Sequence, residues 1–152
     1  MIRYSQVKNM LEQVRDFHGQ LVQYYDRLSK EAEQQRVKML LDHMSKHEKD
    51  LQEGLRAYEE TATQNVMDTY IDCEYCNEIL ATCRQTPIAP ETSIQGVVGV
   101  AMDVDNCLLR FFRAVAEQAE TERVRDVFRN LVEMEESELR TLATNALQAV
   151  DY

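Results

Sequence analysis

Apolar residues recur at steps of three and four along most of this chain. Val7, Leu11, Val14, Leu21, Tyr25 and Leu28, with His18 in the same series, draw one face of a helix over roughly 5–32. Val37, Leu41, Met44, Leu51, Leu55 and Tyr58, with Glu48 among them, repeat the pattern over roughly 35–62. A third stripe, Ala101, Asp105, Leu108, Phe112 and Val115, predicts a helix over 93–119 that Ser93 can cap. A fourth, Val124, Phe128, Leu131, Glu135, Glu138 and Leu142, follows Thr121 as its cap. Helices of about 28 residues are about 42 Å long. The connections within the first and the second pair are only a few residues, so each pair is an antiparallel hairpin. Both prolines, Pro87 and Pro90, fall in the one long connection, residues 63–92, which has room for short helices of its own. Short, long, short is the connectivity of an all-α, antiparallel four-helix bundle with one crossover between helices 2 and 3.

An internal repeat agrees with two hairpins. Residues 18–55 laid on 105–142 without a gap pair Leu21 with Leu108, Ala32 with Ala119, Val37 with Val124, Glu48 with Glu135 and Leu55 with Leu142. Tyr24-Tyr25 falls on Phe111-Phe112. The register also superposes the apolar faces. The expected organisation is one bundle domain over residues 1–152.

Composition narrows the class. Four glycines and two prolines among 152 residues are too few for a turn-rich β-sandwich or barrel. The net charge of −10 disfavours nucleic acid and anionic membrane surfaces as partners. No apolar run is long enough to span a bilayer. The start, MIRYSQVKNM, lacks the apolar core of a secretory signal, so a cytoplasmic location is expected. In that setting Cys73, Cys76, Cys83 and Cys107 are expected as reduced thiols, the first three on a short helix of the crossover. Two-fold homodimers are the commonest oligomers, and Tyr4, Tyr70 and Tyr75 are aromatic candidates for such an interface.

The candidate chemistry lies where the apolar pattern breaks. His18, Glu48, Asp105 and Glu135 occupy seam positions that ask for apolar residues, and each lies 15 residues from the turn of its own hairpin. They therefore share one central layer however the hairpins pack. Glu138, one turn beyond Glu135, joins it. Four carboxylates and an imidazole out of water need a cation or protons. Oxygen ligands with imidazole suit iron or manganese. The competing reading is a protonated, hydrogen-bonded layer that sets helix register. Other features have plainer readings: His43 and His47 are expected on a solvated face, Tyr25 in core packing, and the Cys73-x-x-Cys76 pair lacks the further ligands of a metal site.

The stretches FHGQLVQYYDRLSKEAEQQRVKMLLDHMSKHEKDL (17–51) and VDNCLLRFFRAVAEQAETERVRDVFRNLVEMEESEL (104–139) resemble the two half-repeats of the ferritin-like superfamily, on its rubrerythrin-like side. The resemblance implies a Glu on the first helix of each half and Glu-x-x-His on the second, holding two irons. Carried over by position, the first-half set becomes His18 with Glu48-x-x-Leu51, and the second becomes Asp105 with Glu135-x-x-Glu138. Leu51 cannot ligate. The resemblance thus implies one or two iron or manganese ions on His18, Glu48, Asp105, Glu135 and Glu138, with the second half able to hold one ion and Glu48 bridging to it. Redox or oxidative-stress chemistry would be the associated reaction. No rubredoxin-like segment supplies the usual electron route, and nothing in the sequence indicates a storage cage. The alternative is a non-enzymatic helical interaction module that has kept the bundle and lost its metals.

Overall fold

The computed structural model describes residues 4–85 and 94–150. Strand β1 (Tyr4–Gln6) leads into helix α1 (Val7–Glu31), and α2 (Gln35–Thr61) returns beside it. The crossover holds α3 (Gln64–Met67), strand β2 (Tyr70–Asp72) and α4 (Glu74–Arg84). Helices α5 (Ile94–Gln118) and α6 (Glu122–Val150) form the second hairpin. The expected cap Ser93 and both prolines lie outside the described residues. Thr121 does cap α6: its hydroxyl oxygen accepts from the Val124 N–H at 3.4 Å.

Each hairpin closes along the stripe that its sequence draws. Helix α1 packs on α2, α5 on α6, and α2 meets α6 across the bundle. The buried side chains form one continuous apolar cluster, from Met10, Val14 and Leu21 through Leu41 and Leu55 to Leu108, Phe112, Val124 and Phe128. Phe111, Phe112 and Phe128 stack with ring centroids 5.6–6.5 Å apart. Polar contacts hold the first hairpin in register. The Ser45 hydroxyl donates to Asp26 at 2.5 Å, Ser29 donates to Asp42, and Arg15 pairs with Glu59 at 2.5 Å.

Two features depart from the sequence reading. First, α1 begins at Val7 rather than near residue 5, because the preceding residues pair with the crossover. β1 runs antiparallel to β2, with Tyr4 opposite Asp72 and Gln6 opposite Tyr70. The ribbon is too short to stand alone. It persists because Ile71 is buried, the Val7 N–H donates to the Thr69 carbonyl at 2.9 Å, and Lys8 pairs with Asp68 at 3.1 Å. Tyr4 and Tyr70 are exposed, as is Tyr75, whose hydroxyl accepts from Gln118 at 3.2 Å.

Second, the cysteines are not thiols. Cys73 pairs with Cys76 and Cys83 with Cys107. Cys73 lies just before α4 and accepts from the Cys76 N–H at 3.2 Å, while Cys83 on α4 reaches across to α5. The expectation of reduced thiols came from the presumed compartment. Their pairing is set by the docking of α4 on α5, which brings the Cα atoms of Cys83 and Cys107 to 5.6 Å. The cysteines therefore no longer argue for a reducing environment.

The Cys83–Cys107 bond spans 24 residues, and a cross-link of that size stabilises by about 3 kcal/mol through the unfolded chain. We expect Cys83→Ser with Cys107→Ser to lower the unfolding free energy by about that amount. Urea denaturation of the oxidised proteins measures it, and the difference should vanish when both are reduced.

Candidate metal centre

The five seam residues are buried. His18 is 1% exposed, Glu48, Asp105 and Glu135 are 2%, and Glu138 is 7%. α1 contributes His18, α2 Glu48, α5 Asp105 and α6 both Glu135 and Glu138. All four long helices therefore meet at this layer.

The layer has two overlapping parts. In one, a carboxylate oxygen from each of Glu48, Asp105 and Glu138 lies within 4.8 Å of the other two. In the other, His18 stands between Glu48 and Glu135. Its Nδ1 is hydrogen-bonded to Glu48 Oε2, and its Nε2 lies 3.8 Å from Glu135 Oε1. Glu48 belongs to both parts. The sequence reading grouped Asp105, Glu135 and Glu138 with Glu48 as bridge. The close triad instead takes Glu48 and leaves Glu135 on the imidazole side. Leu51, half-buried, supplies only hydrocarbon.

Electrostatics make the layer costly as bare carboxylates. Burial, then the neighbouring Asp105, Glu48 and Glu135 charges, push Glu138 up to about 11. Burial raises Asp105 well above the carboxylate range, with Glu48 adding to it. Burial, Asp105 and Glu48 do the same to Glu135. Two oxygens, Glu135 Oε2 and Glu138 Oε2, are fully buried and make no hydrogen bond among the described residues. Such atoms lack a partner of positive charge or a donor.

Tyr25 belongs to the same environment. Spacing set it two turns from His18, in core packing, and it is indeed in the core cluster at 1% exposed. Its side chain also lines the pocket that holds Glu48, Asp105 and Glu138. Burial and those three carboxylates raise its phenol well above its usual range. A buried tyrosine two turns from a polar seam residue, on the same face, was the available signal. His43 and His47 line the same pocket from α2, with ring centroids 5.0 Å apart. Burial, then His47 and Lys46, hold His43 below the imidazole range. Glu133 is exposed and Glu136 half-buried, both off the seam.

The donor set fits a cation. Three buried carboxylates with oxygens within 4.8 Å of one another offer hard donors, and the oxygens without a hydrogen bond among the described residues supply unused lone pairs. The hydrogen bond from His18 to Glu48 orients the imidazole, as a carboxylate partner does for a ligating histidine.

In metal-free protein the raised carboxyls hold protons that the unfolded chain releases above about pH 4.3. Stability is then fully present below that pH and falls as pH rises toward the folded pKa values. Urea midpoints measured with chelator should be lower at pH 8 than at pH 5.5. Glu138→Gln, which cannot ionise, should flatten that dependence.

No protein-family model matches the sequence, and no curated relative does. Among solved structures, a Thermotoga maritima crystal structure described as a candidate ferritin-like diiron-carboxylate protein superposes with a TM-score of 0.68. The match covers 98% of this chain and 99% of that one, at 15% identity. The likeness therefore includes the crossover as well as the hairpins and, at that identity, speaks for architecture: this chain has the ferritin-like fold.

Proposed function

We propose that the bundle binds one or two iron or manganese ions in its central layer and serves redox or oxidative-stress chemistry. The observation that carries this is the buried triad of Glu48, Asp105 and Glu138, with carboxylate oxygens within 4.8 Å and one Glu138 oxygen that makes no hydrogen bond among the described residues. These three would hold one ion. His18 through Nε2, Glu48 and Glu135 would hold a second, more weakly, because Leu51 stands where the rubrerythrin-like pattern has a histidine. A bound redox ion would supply one-electron chemistry toward dioxygen or peroxide. The chain's own residues orient His18 through Glu48, and Met44, Ala101 and Leu142 give the pocket beside the triad an apolar lining. The same reading takes residues 1–152 as a single domain and the 18–55 and 105–142 segments as a duplicated hairpin.

A second reading is a non-enzymatic interaction module that has lost its metals. Leu51 favours it, since one of the expected ligands is absent.

Elemental analysis of protein purified without added metal, and again after anaerobic loading with iron(II) or manganese(II), separates the two. We expect at least one equivalent per chain. Glu48→Leu then removes a shared ligand and should weaken binding at least about tenfold and lower the melting temperature. No retained metal, together with a Glu48→Leu variant as stable as the parent or more so, would establish the second reading, because a leucine packs where a buried carboxyl does not.

A further inference from the structure

The pocket that holds the triad is also lined by side chains that the central layer does not use. His43 is exposed, His47 is half-buried, and both line the pocket whose inner end is Glu48, Asp105 and Glu138. They lie one turn apart on α2, so their rings face the same side, and their centroids are 5.0 Å apart. At that separation two ring nitrogens can reach one ion at the 2.0–2.1 Å typical of zinc–imidazole bonds after a modest ring rotation. The next positions on the helix continue inward: Met44 is buried and Glu48 forms part of the pocket floor. Met44, Ala101 and Leu142 give the passage apolar walls. A cation entering it leaves water before it reaches a carboxylate. Neutral nitrogen donors at the mouth replace part of its hydration shell at the point where the walls remove it.

We propose that His43 and His47 form an outer cation site at the mouth of this pocket and hand an incoming divalent transition-metal ion to Glu48, Asp105 and Glu138. The transfer rests on the proposed central site; the outer site stands on the imidazole pair itself. The handover involves no redox change. The ion exchanges imidazole nitrogens for carboxylate oxygens, and carboxyl protons leave as it arrives. The acidic chain, with net charge −10, draws cations to the surface in general, and the imidazoles select one point of entry.

Two experiments test the two halves. Cobalt(II) mixed with metal-free protein in a stopped-flow instrument reports loading through its d–d absorption. His43→Ala with His47→Ala should slow loading about tenfold while leaving the final inner-site spectrum unchanged, the scale at which a cleft raises ion encounter. His43→Ala alone, at an exposed position that tolerates truncation, should slow it by a smaller factor. Unchanged rates with the same final spectrum overturn the portal and leave the proposed function standing. Absence of any inner-site cobalt signal in the parent protein overturns both. Separately, Glu48→Gln with Glu138→Gln removes two of the three inner carboxylates. That variant should still bind zinc, and should lose it on adding His43→Ala. Zinc binding that is absent, or unaffected by His43→Ala, overturns the outer site.

Discussion

Four carboxyl groups and one imidazole share the buried middle of this bundle, and among the described residues no lysine or arginine is placed with them. That arrangement constrains everything around it. Placing leucines at these positions would be the ordinary solution for a helical core, and in many proteins it is no less stable than a buried polar cluster. Here all four long helices present a polar group at the same height, so the layer is tolerated only when each group finds a proton, a hydrogen bond or a cation. His18 and Glu48 satisfy each other. Glu138 and Glu135 each keep a buried oxygen that nothing in the described chain satisfies. Those two atoms are where the layer asks for something from outside.

The rest of the fold is arranged to tolerate that cost. Large side chains buried with the layer pack the helices together, among them Tyr25, Phe17, Phe112 and Phe128. Beside its apolar packing, the first hairpin is latched by the buried Ser29 and Ser45 hydroxyls on Asp42 and Asp26 and by the Arg15–Glu59 pair. The crossover is bound at both ends, to the start of α1 through the short ribbon and to α5 through the Cys83–Cys107 bond. A connection held in that way restrains the second hairpin against the first. It thereby keeps Asp105, on α5, in reach of Glu48, on α2.

Dividing the layer into two parts gives its members different roles. Glu48 is the common element, touching the imidazole on one side and the carboxylate triad on the other. Tyr25 closes the triad side with a phenol that burial and three carboxylates keep protonated. The triad spans both hairpins, with Glu48 from the first and Asp105 and Glu138 from the second, while Leu51, one turn beyond Glu48, offers no donor.

The helices, their pairing and the height of the polar layer were legible in the sequence. Periodicity is a local property, and a seam position at the midpoint of a hairpin helix stays at the midpoint in any packing. His18, Glu48, Asp105, Glu135 and Glu138 could be placed in one layer on that ground alone. Which of them would touch could not. Contacts across the bundle depend on helix rotation and side-chain rotamers, and these put Glu48 rather than Glu135 with Asp105 and Glu138. The same holds for Tyr25, whose place beside the triad depends on the same rotations. The disulfides and the β1–β2 ribbon were out of reach for a related reason. Cys83 and Cys107, or Tyr4 and Asp72, are distant in sequence, and only the docking of the crossover on α1 and α5 brings them together.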